Sequence, residues 1–243
     1  MAYIKGTSGN DFDLTGTNAS DIIDGLEGDD YIWGFGDVDY IAGGEGVDHV
    51  FAGDGDDVVD GGGDGDWLFG DGGNDQIWGG FGEDHLFGGY GNDQLFGGHS
   101  AGGWGADELW GGPGRDTFFF NSYDSDPWWD PDHIVDFQGT IPRSWGGDMI
   151  DVGGPAGTTS NYFETMIAYN GGFDLARNFA NYYISTGATY VFITDSVNGY
   201  FFSNVIAFSG QFGGYSDHAN NGIVLEGLTD LSDFSHKNVV DFY

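Results

Sequence analysis

Cysteine is absent from the 243 residues, which excludes disulfides, thiol nucleophiles and cysteine-ligated zinc. Lys and Arg number only 5 against 40 Asp and Glu, a net charge of −35. A surface this negative excludes nucleic-acid phosphates and anionic membranes as binding partners. No run of 18 apolar residues occurs, so no stretch is fit to cross a bilayer as a helix. The opening Met1-Ala2-Tyr3-Ile4-Lys5-Gly6 has no apolar segment, and no cleavable signal peptide is expected. In place of these, glycine is abundant, at 48 residues, about three times ordinary usage. It does not recur at every third position, so the chain is not collagen. Aromatic residues make up 17%, too many for a chain that stays disordered. The length allows one or two domains with a real core.

The charge is unevenly placed: no Lys or Arg lies between Lys5 and Arg115. That stretch is periodic. Asp21, Asp30, Asp39, Asp48, Asp57, Asp66, Asp75, Asp84 and Asp93 follow one another at a strict spacing of nine. Two residues after each stands an aliphatic: Ile23, Ile32, Ile41, Val50, Val59, Leu68, Ile77, Leu86 and Leu95. Glycines fill the positions before the aspartates, most clearly in Gly79-Gly80-Phe81-Gly82-Glu83-Asp84-His85-Leu86-Phe87 and Gly88-Gly89-Tyr90-Gly91-Asn92-Asp93-Gln94-Leu95-Phe96. The phase slips by five residues at Gly97–Ala101, then resumes with Asp107 and Asp116. A weaker copy with Asp11 opens the chain.

Six residues of turn and three of strand make one unit, and two units make one coil. The aliphatic residue points inward, and coils stack at the strand spacing of about 4.8 Å. Aspartates 18 apart then lie over one another. One column is Asp21, Asp39, Asp57, Asp75 and Asp93, extended by Asp116. The other is Asp30, Asp48, Asp66 and Asp84, extended by Asp107. Two bare carboxylates about 5 Å apart repel by roughly 3 kcal/mol at an effective dielectric of 20. Summed over both columns, this rivals a domain's whole stability of about 5–15 kcal/mol. The roll is therefore expected to need cations. Calcium suits the site, since it takes six to eight flexibly arranged oxygens, carbonyls included, whereas magnesium demands a tighter octahedron. Nine neighbouring carboxylate pairs allow roughly nine ions. The turns that replace a glycine, at Leu26, Phe35, Asp37, Ala52, Asp64 and Asp71, are the ones least matched to the pattern.

The motif resembles the RTX nonapeptide G-G-x-G-x-D-x-U-x, a calcium-binding repeat. The resemblance implies an all-β fold, a right-handed parallel β-roll over 1–119. It implies calcium ligands at Asp21, Asp30, Asp39, Asp48, Asp57, Asp66, Asp75, Asp84, Asp93, Asp107 and Asp116. The turn glycines Gly43, Gly79, Gly80, Gly82, Gly88, Gly89 and Gly91 belong to the same sites.

The positions flanking the inward aliphatic point outward. After the second column they read Tyr31/Trp33, His49/Phe51, Trp67/Phe69, His85/Phe87 and Glu108/Trp110. Two readings of this aromatic strip stand side by side. Either the C-terminal half packs over it, or Trp33, Phe51, Trp67, Phe69, Phe87 and Trp110 form a platform for polysaccharide or for a second copy. His49 and His85 lie two coils apart, about 10 Å, too far to share a zinc ion with ligands about 2 Å away.

Residues 120–243 lack the repeat and are expected to form a mostly β cap with one helix over Phe173–Thr186. Expected strands include Thr117–Phe120, Tyr190–Asp195, Tyr200–Phe208 and Gly222–Gly227. Asp132–Phe137 with Gly147–Val152 resembles the segment that closes the roll in serralysin-type domains, and Leu228–Tyr243 resembles the closing stretch of type I-secreted RTX proteins. The resemblance implies export by the type I secretion machinery of a Gram-negative cell to the extracellular medium, with folding on contact with calcium. Asp124, Asp126, Asp130, Asp132, Asp136, Asp148 and Asp151 are mostly read as solvated or turn residues. Gly98-His99-Ser100-Ala101-Gly102 matches the G-x-S-x-G elbow of lipases, but that motif needs a strand before Ser and a helix after it. Here it sits inside the slip, with another glycine turn following at once. No H-E-x-x-H occurs. The sequence therefore reads as a secreted, non-enzymatic calcium-binding protein.

Overall fold

A computed structural model describes residues 1–98, 105–120 and 132–137, and the backbone of six further strands between 149 and 240. The chain divides into two compact units, Met1–Phe118 and Phe119–Tyr243.

Thirteen strands build the first unit. They are β1 (Tyr3–Lys5), β2 (Leu14–Thr15), β3 (Ile22–Glu27), β4 (Tyr31–Gly36), β5 (Tyr40–Glu45), β6 (His49–Asp54), β7 (Val58–Gly63), β8 (Trp67–Gly72), β9 (Gln76–Phe81), β10 (His85–Tyr90), β11 (Gln94–Gly98), β12 (Glu108–Trp110) and β13 (Thr117–Phe119). Odd-numbered strands follow one another in one sheet and even-numbered strands in the other. The pairings are parallel, with Ile23 beside Ile41, Ile41 beside Val59 and Val59 beside Ile77. The second sheet sets Ile32 beside Val50, Val50 beside Leu68 and Leu68 beside Leu86. This is a parallel β-roll, and it contains no helix among the described residues.

From β3 to β11 the strands are longer than three residues. Most run for six, through the first glycines of the next unit. Glycine has no side chain to break the coil-to-coil ladder, so hydrogen bonding continues where a turn is expected from composition. The inward aliphatics form the core: Ile32, Val50, Val59, Leu68, Ile77, Leu86, Leu95 and Leu109 are all fully buried. Each contacts its own kind in the coils above and below, so one lost side chain leaves a gap that the stacked backbone cannot close. Leu68→Ala is expected to lower stability in saturating calcium by about 2–5 kcal/mol, measured by denaturant unfolding.

In the second unit, β14 (Asp132–Ile134) runs parallel to β19 (Asn221–Leu225), and β15 (Met149–Asp151) to β20 (Val239–Val240). The strands β16 (Tyr162–Ala168), β17 (Tyr190–Val197), β18 (Tyr200–Phe208) and β19 lie in that order in one sheet. The strand at 162–168 has no counterpart among the strands expected from the sequence. The expected helix at Phe173–Thr186 and the Ser100 motif lie outside the described residues.

Candidate metal centre

Each column aspartate sits at the end of a glycine turn and immediately before a strand. The strand carries the next two residues up to the inward aliphatic, so the carboxylate is fixed at the corner of the coil. Asp21, Asp30, Asp39, Asp48, Asp66 and Asp116 are wholly inaccessible to solvent, and the remaining column members are nearly so.

One oxygen of each carboxylate is used by the backbone. The amide N–H of Asp21 donates to Asp39 Oδ1 at 2.7 Å, that of Asp39 to Asp57 Oδ1 at 2.7 Å, and that of Asp57 to Asp75 Oδ1 at 2.8 Å. The second column repeats this from Asp30 through Asp48 and Asp66 to Asp84. The pattern holds on both sides of the slip, because Asp84 N–H donates to Asp107 Oδ1 at 3.0 Å and Asp93 N–H to Asp116 Oδ1 at 2.9 Å. Both columns are therefore continuous across it.

The other oxygen is left over. Oδ2 of Asp30, Asp39, Asp48, Asp57, Asp66, Asp75, Asp84 and Asp93 is buried and accepts no hydrogen bond. A buried carboxylate oxygen with no donor is a costly arrangement unless a cation meets it. Glycine leaves the room for one. A Cβ placed on Gly34 would stand 2.6 Å from Asp39 Oδ2 and 2.5 Å from the Ala52 carbonyl oxygen of the following coil. On Gly88 it would stand 2.5 Å from Asp93 Oδ2 and 2.7 Å from the Gly111 carbonyl oxygen. Gly43 and Gly79 face Asp48 and Asp84 in the same way. These gaps are lined by hard oxygens near calcium's bonding distances of 2.3–2.6 Å, so the residues present fit that ion. Among the described residues, no three His, Cys, Asp or Glu side chains converge on one point. That accords with sites drawing on main-chain carbonyls as well as carboxylates.

The remaining sequence-selected glycines shape the turn. Gly80, Gly82, Gly89 and Gly91 have φ of 112°, 145°, 103° and 146°, which side chains rarely adopt. Five of the six departing residues, all but Ala52, take the same course. Leu26 (88°), Phe35 (83°), Asp37 (68°), Asp64 (68°) and Asp71 (68°) all hold positive φ, so the coil imposes the glycine backbone on them.

Burial makes these carboxyls hard to ionise. Desolvation raises Asp39, Asp57 and Asp93 to about 6, Asp48, Asp75 and Asp84 to about 7, and Asp66 to about 9. The donated amide N–H opposes the shift in each. Neighbouring carboxylates add to it in Asp66, which feels Asp84 and Asp48.

Asp21 differs from the rest. Its Oδ1 accepts from Ala2 N–H at 2.5 Å, and its Oδ2 accepts from Thr17 N–H at 2.8 Å and from the Thr17 hydroxyl at 2.7 Å. Hydrogen bonds from Ala2 and then Thr17 hold its carboxyl below the ordinary value. Thr17 escapes a search for aspartates and glycines, although its place four residues before an Asp is the signal that finds it.

Outside the even sheet the rings stack on one another. Tyr31, His49, Trp67 and His85 form one stack, with centroids 4.5, 6.2 and 4.1 Å apart. Trp33, Phe51, Phe69, Phe87 and Trp110 form a second, at 5.9, 4.9, 4.6 and 4.4 Å. The faces of the rings are occupied by their neighbours, so the strip presents ring edges outward. Trp67 stands between the two histidines, and His85 Nδ1 lies 3.0 Å from Glu108 Oε2, an arrangement that gives both histidines stacking and surface roles.

The family "RTX calcium-binding nonapeptide repeat (4 copies)" matches at residues 15–50, 35–68, 42–77, 69–99 and 101–119. No curated protein matches the chain. Among solved structures, the extracellular lipase LipA from Serratia marcescens is similar over 97% of this chain, at 17% identity and a TM-score of 0.26. The chain spans 39% of the length of that lipase. With its nine-residue period, its two aspartate columns and its parallel coils, the roll is similar over residues 15–99 and 101–119 to the RTX calcium-binding nonapeptide repeat.

Proposed function

We propose that this chain is a secreted, non-enzymatic protein whose roll folds on binding extracellular calcium at its aspartate columns. The observation that carries this reading is the row of buried Oδ2 atoms without donors, seven of the eight beside a glycine that leaves room for an ion, with Ala52 in that place before Asp57. Calcium supplies the positive charge that lets these carboxylates share a column. The chain's own residues position the oxygens: the preceding coil's amide N–H fixes Oδ1 and thereby aims Oδ2 at the turn.

The unfolded chain has no such preformed oxygens, so ion binding and folding are one equilibrium. In a compartment poor in calcium, repulsion within the columns keeps the chain open, a form fit for a type I exporter. Outside, calcium draws it into the roll. The test is limited proteolysis of the full chain. Cleavage within residues 15–119 is expected in chelator and in millimolar magnesium, and protection in millimolar calcium. Release into the medium of a Gram-negative host only when a type I exporter is present tests the secretion step. Cleavage that calcium leaves unchanged overturns the reading.

A further inference from the structure

We propose that the first turn of each column is a metal-free cap in which threonine takes the place of a calcium ion. The ion ladder then starts at Asp30 and Asp39. This rests on the calcium reading above and refines it for Asp21, which the motif alone counts as a ligand.

Two observations hold for both turns, Gly6–Asp11 and Gly16–Asp21, and a third for the second of them. First, Thr7 and Thr17 stand at the position where later turns carry Gly44, Gly53, Gly62, Gly80 and Gly89, all at positive φ. Neither threonine is among the residues with positive φ. A β-branched residue is a steric outlier there, so these turns take another path. Second, that path brings the threonine N–H and hydroxyl onto the carboxylate. Thr17 donates both to Asp21 Oδ2, and Thr7 donates both to Asp11 Oδ2, at 2.6 and 3.1 Å. These are the oxygens that lack a donor in the later turns, where glycine has no hydroxyl to offer. Third, the carboxylate is drawn out of the gap at Gly16, where a Cβ would meet the Gly34 carbonyl, the Ile23 methyl and the Trp33 carbonyl before Asp21, whereas a Cβ on Gly6 would still stand 2.8 Å from Asp11 Oδ2.

The chemistry is a substitution of two hydrogen bonds for one ion in these first turns. The pair Asp21–Asp39 drops out of the ladder. Eight neighbouring pairs remain: 39–57, 57–75, 75–93 and 93–116 in one column, and 30–48, 48–66, 66–84 and 84–107 in the other.

Counting calcium on the refolded full chain tests this, by equilibrium dialysis at saturating calcium with metal analysis. Asp21→Asn is expected to keep the wild-type count, Asp75→Asn, beside the Gly70 gap, to lose at least one ion per chain, and Thr17→Gly to gain one. Thr17→Ser keeps the hydroxyl and stays at the wild-type count. An Asp21→Asn chain that loses as many ions as Asp75→Asn overturns the cap, as does a folded Thr17→Gly chain with no extra ion. Should Asp75→Asn lose none, the calcium assignment of the columns fails, and the cap fails with it.

Discussion

Asp66→Asn is expected to raise the calcium concentration for half-folding at least tenfold and to flatten the transition. Asp66 sits mid-column. Its Oδ1 takes the Asp48 amide, and its own amide donates to Asp84 Oδ1. It therefore belongs to two neighbouring pairs, 48–66 and 66–84. Asparagine keeps an acceptor for the Asp48 amide, so the backbone ladder survives. What is removed is the charged oxygen that faces the turn. Each ion held at about a hundred times its Kd contributes about 2.7 kcal/mol to folding. Two lost ions amount to about 5 kcal/mol, the lower end of a domain's stability of about 5–15 kcal/mol. Because coils contact only their neighbours, a gap in the middle also divides the array into two shorter cooperative blocks. Asp60→Asn is the control. It removes the same charge from an exposed outward position on β7 and should leave the midpoint within about twofold. Equal shifts in the two variants, read by circular dichroism against free calcium, would show general charge reduction at work and not the column.

The second large effect is a reversal with pH. In chelator, the roll is expected to form in acid and to be lost on neutralisation. The column carboxyls are raised in the folded state, to about 6 for Asp39, Asp57 and Asp93, about 7 for Asp48, Asp75 and Asp84, and about 9 for Asp66. In the unfolded chain they titrate near 3.9. A group raised on folding favours the folded state fully below its unfolded value, and this contribution is lost as pH rises through the folded value. The metal-free roll is therefore stable near pH 4, weakens as pH rises from about 4 through 6 and 7, and is absent at pH 8. Protons and calcium compete for the same oxygens, so calcium affinity falls as pH drops through 7 to 5. Ellipticity of the chelated chain from pH 8 to pH 4, at micromolar protein because the pI is about 4.1, measures this. A chelated chain that stays unfolded at every pH contradicts the desolvation argument.

Much of the first unit was legible because one residue in nine is fixed by a distinct need. Aspartate at the corner, aliphatic two residues later and glycine before the corner specify the coil, both columns and the stack of Ile32, Val50, Leu68, Leu86 and Leu109. The slip was legible too, since Asp107 and Asp116 return to the columns predicted from spacing. The reach of the strands was not legible, because glycines such as Gly79 and Gly80 read as turn by composition yet pair like strand residues once coils stack. Asp21 looked like its neighbours because the nonapeptide template is read from Asp and Gly, and the threonine that saturates it lies at a position where glycine is expected. The aromatic strip was placed on the correct face by alternation alone. That its rings stack on one another depends on the 18-residue register, which spacing supplies only after folding is assumed. In the second unit no short period constrains the chain, and the strand at 162–168 passed unnoticed.

Circular dichroism of the full chain, begun in chelator at neutral pH and titrated with calcium, bears most directly on calcium-driven folding. A parallel titration with magnesium serves as the control. Cooperative gain of β signal near millimolar calcium, with none in magnesium, is the expected result. Full β signal already present in chelator at neutral pH would mean that the buried carboxylates tolerate one another without a cation, and that calcium does not drive the fold.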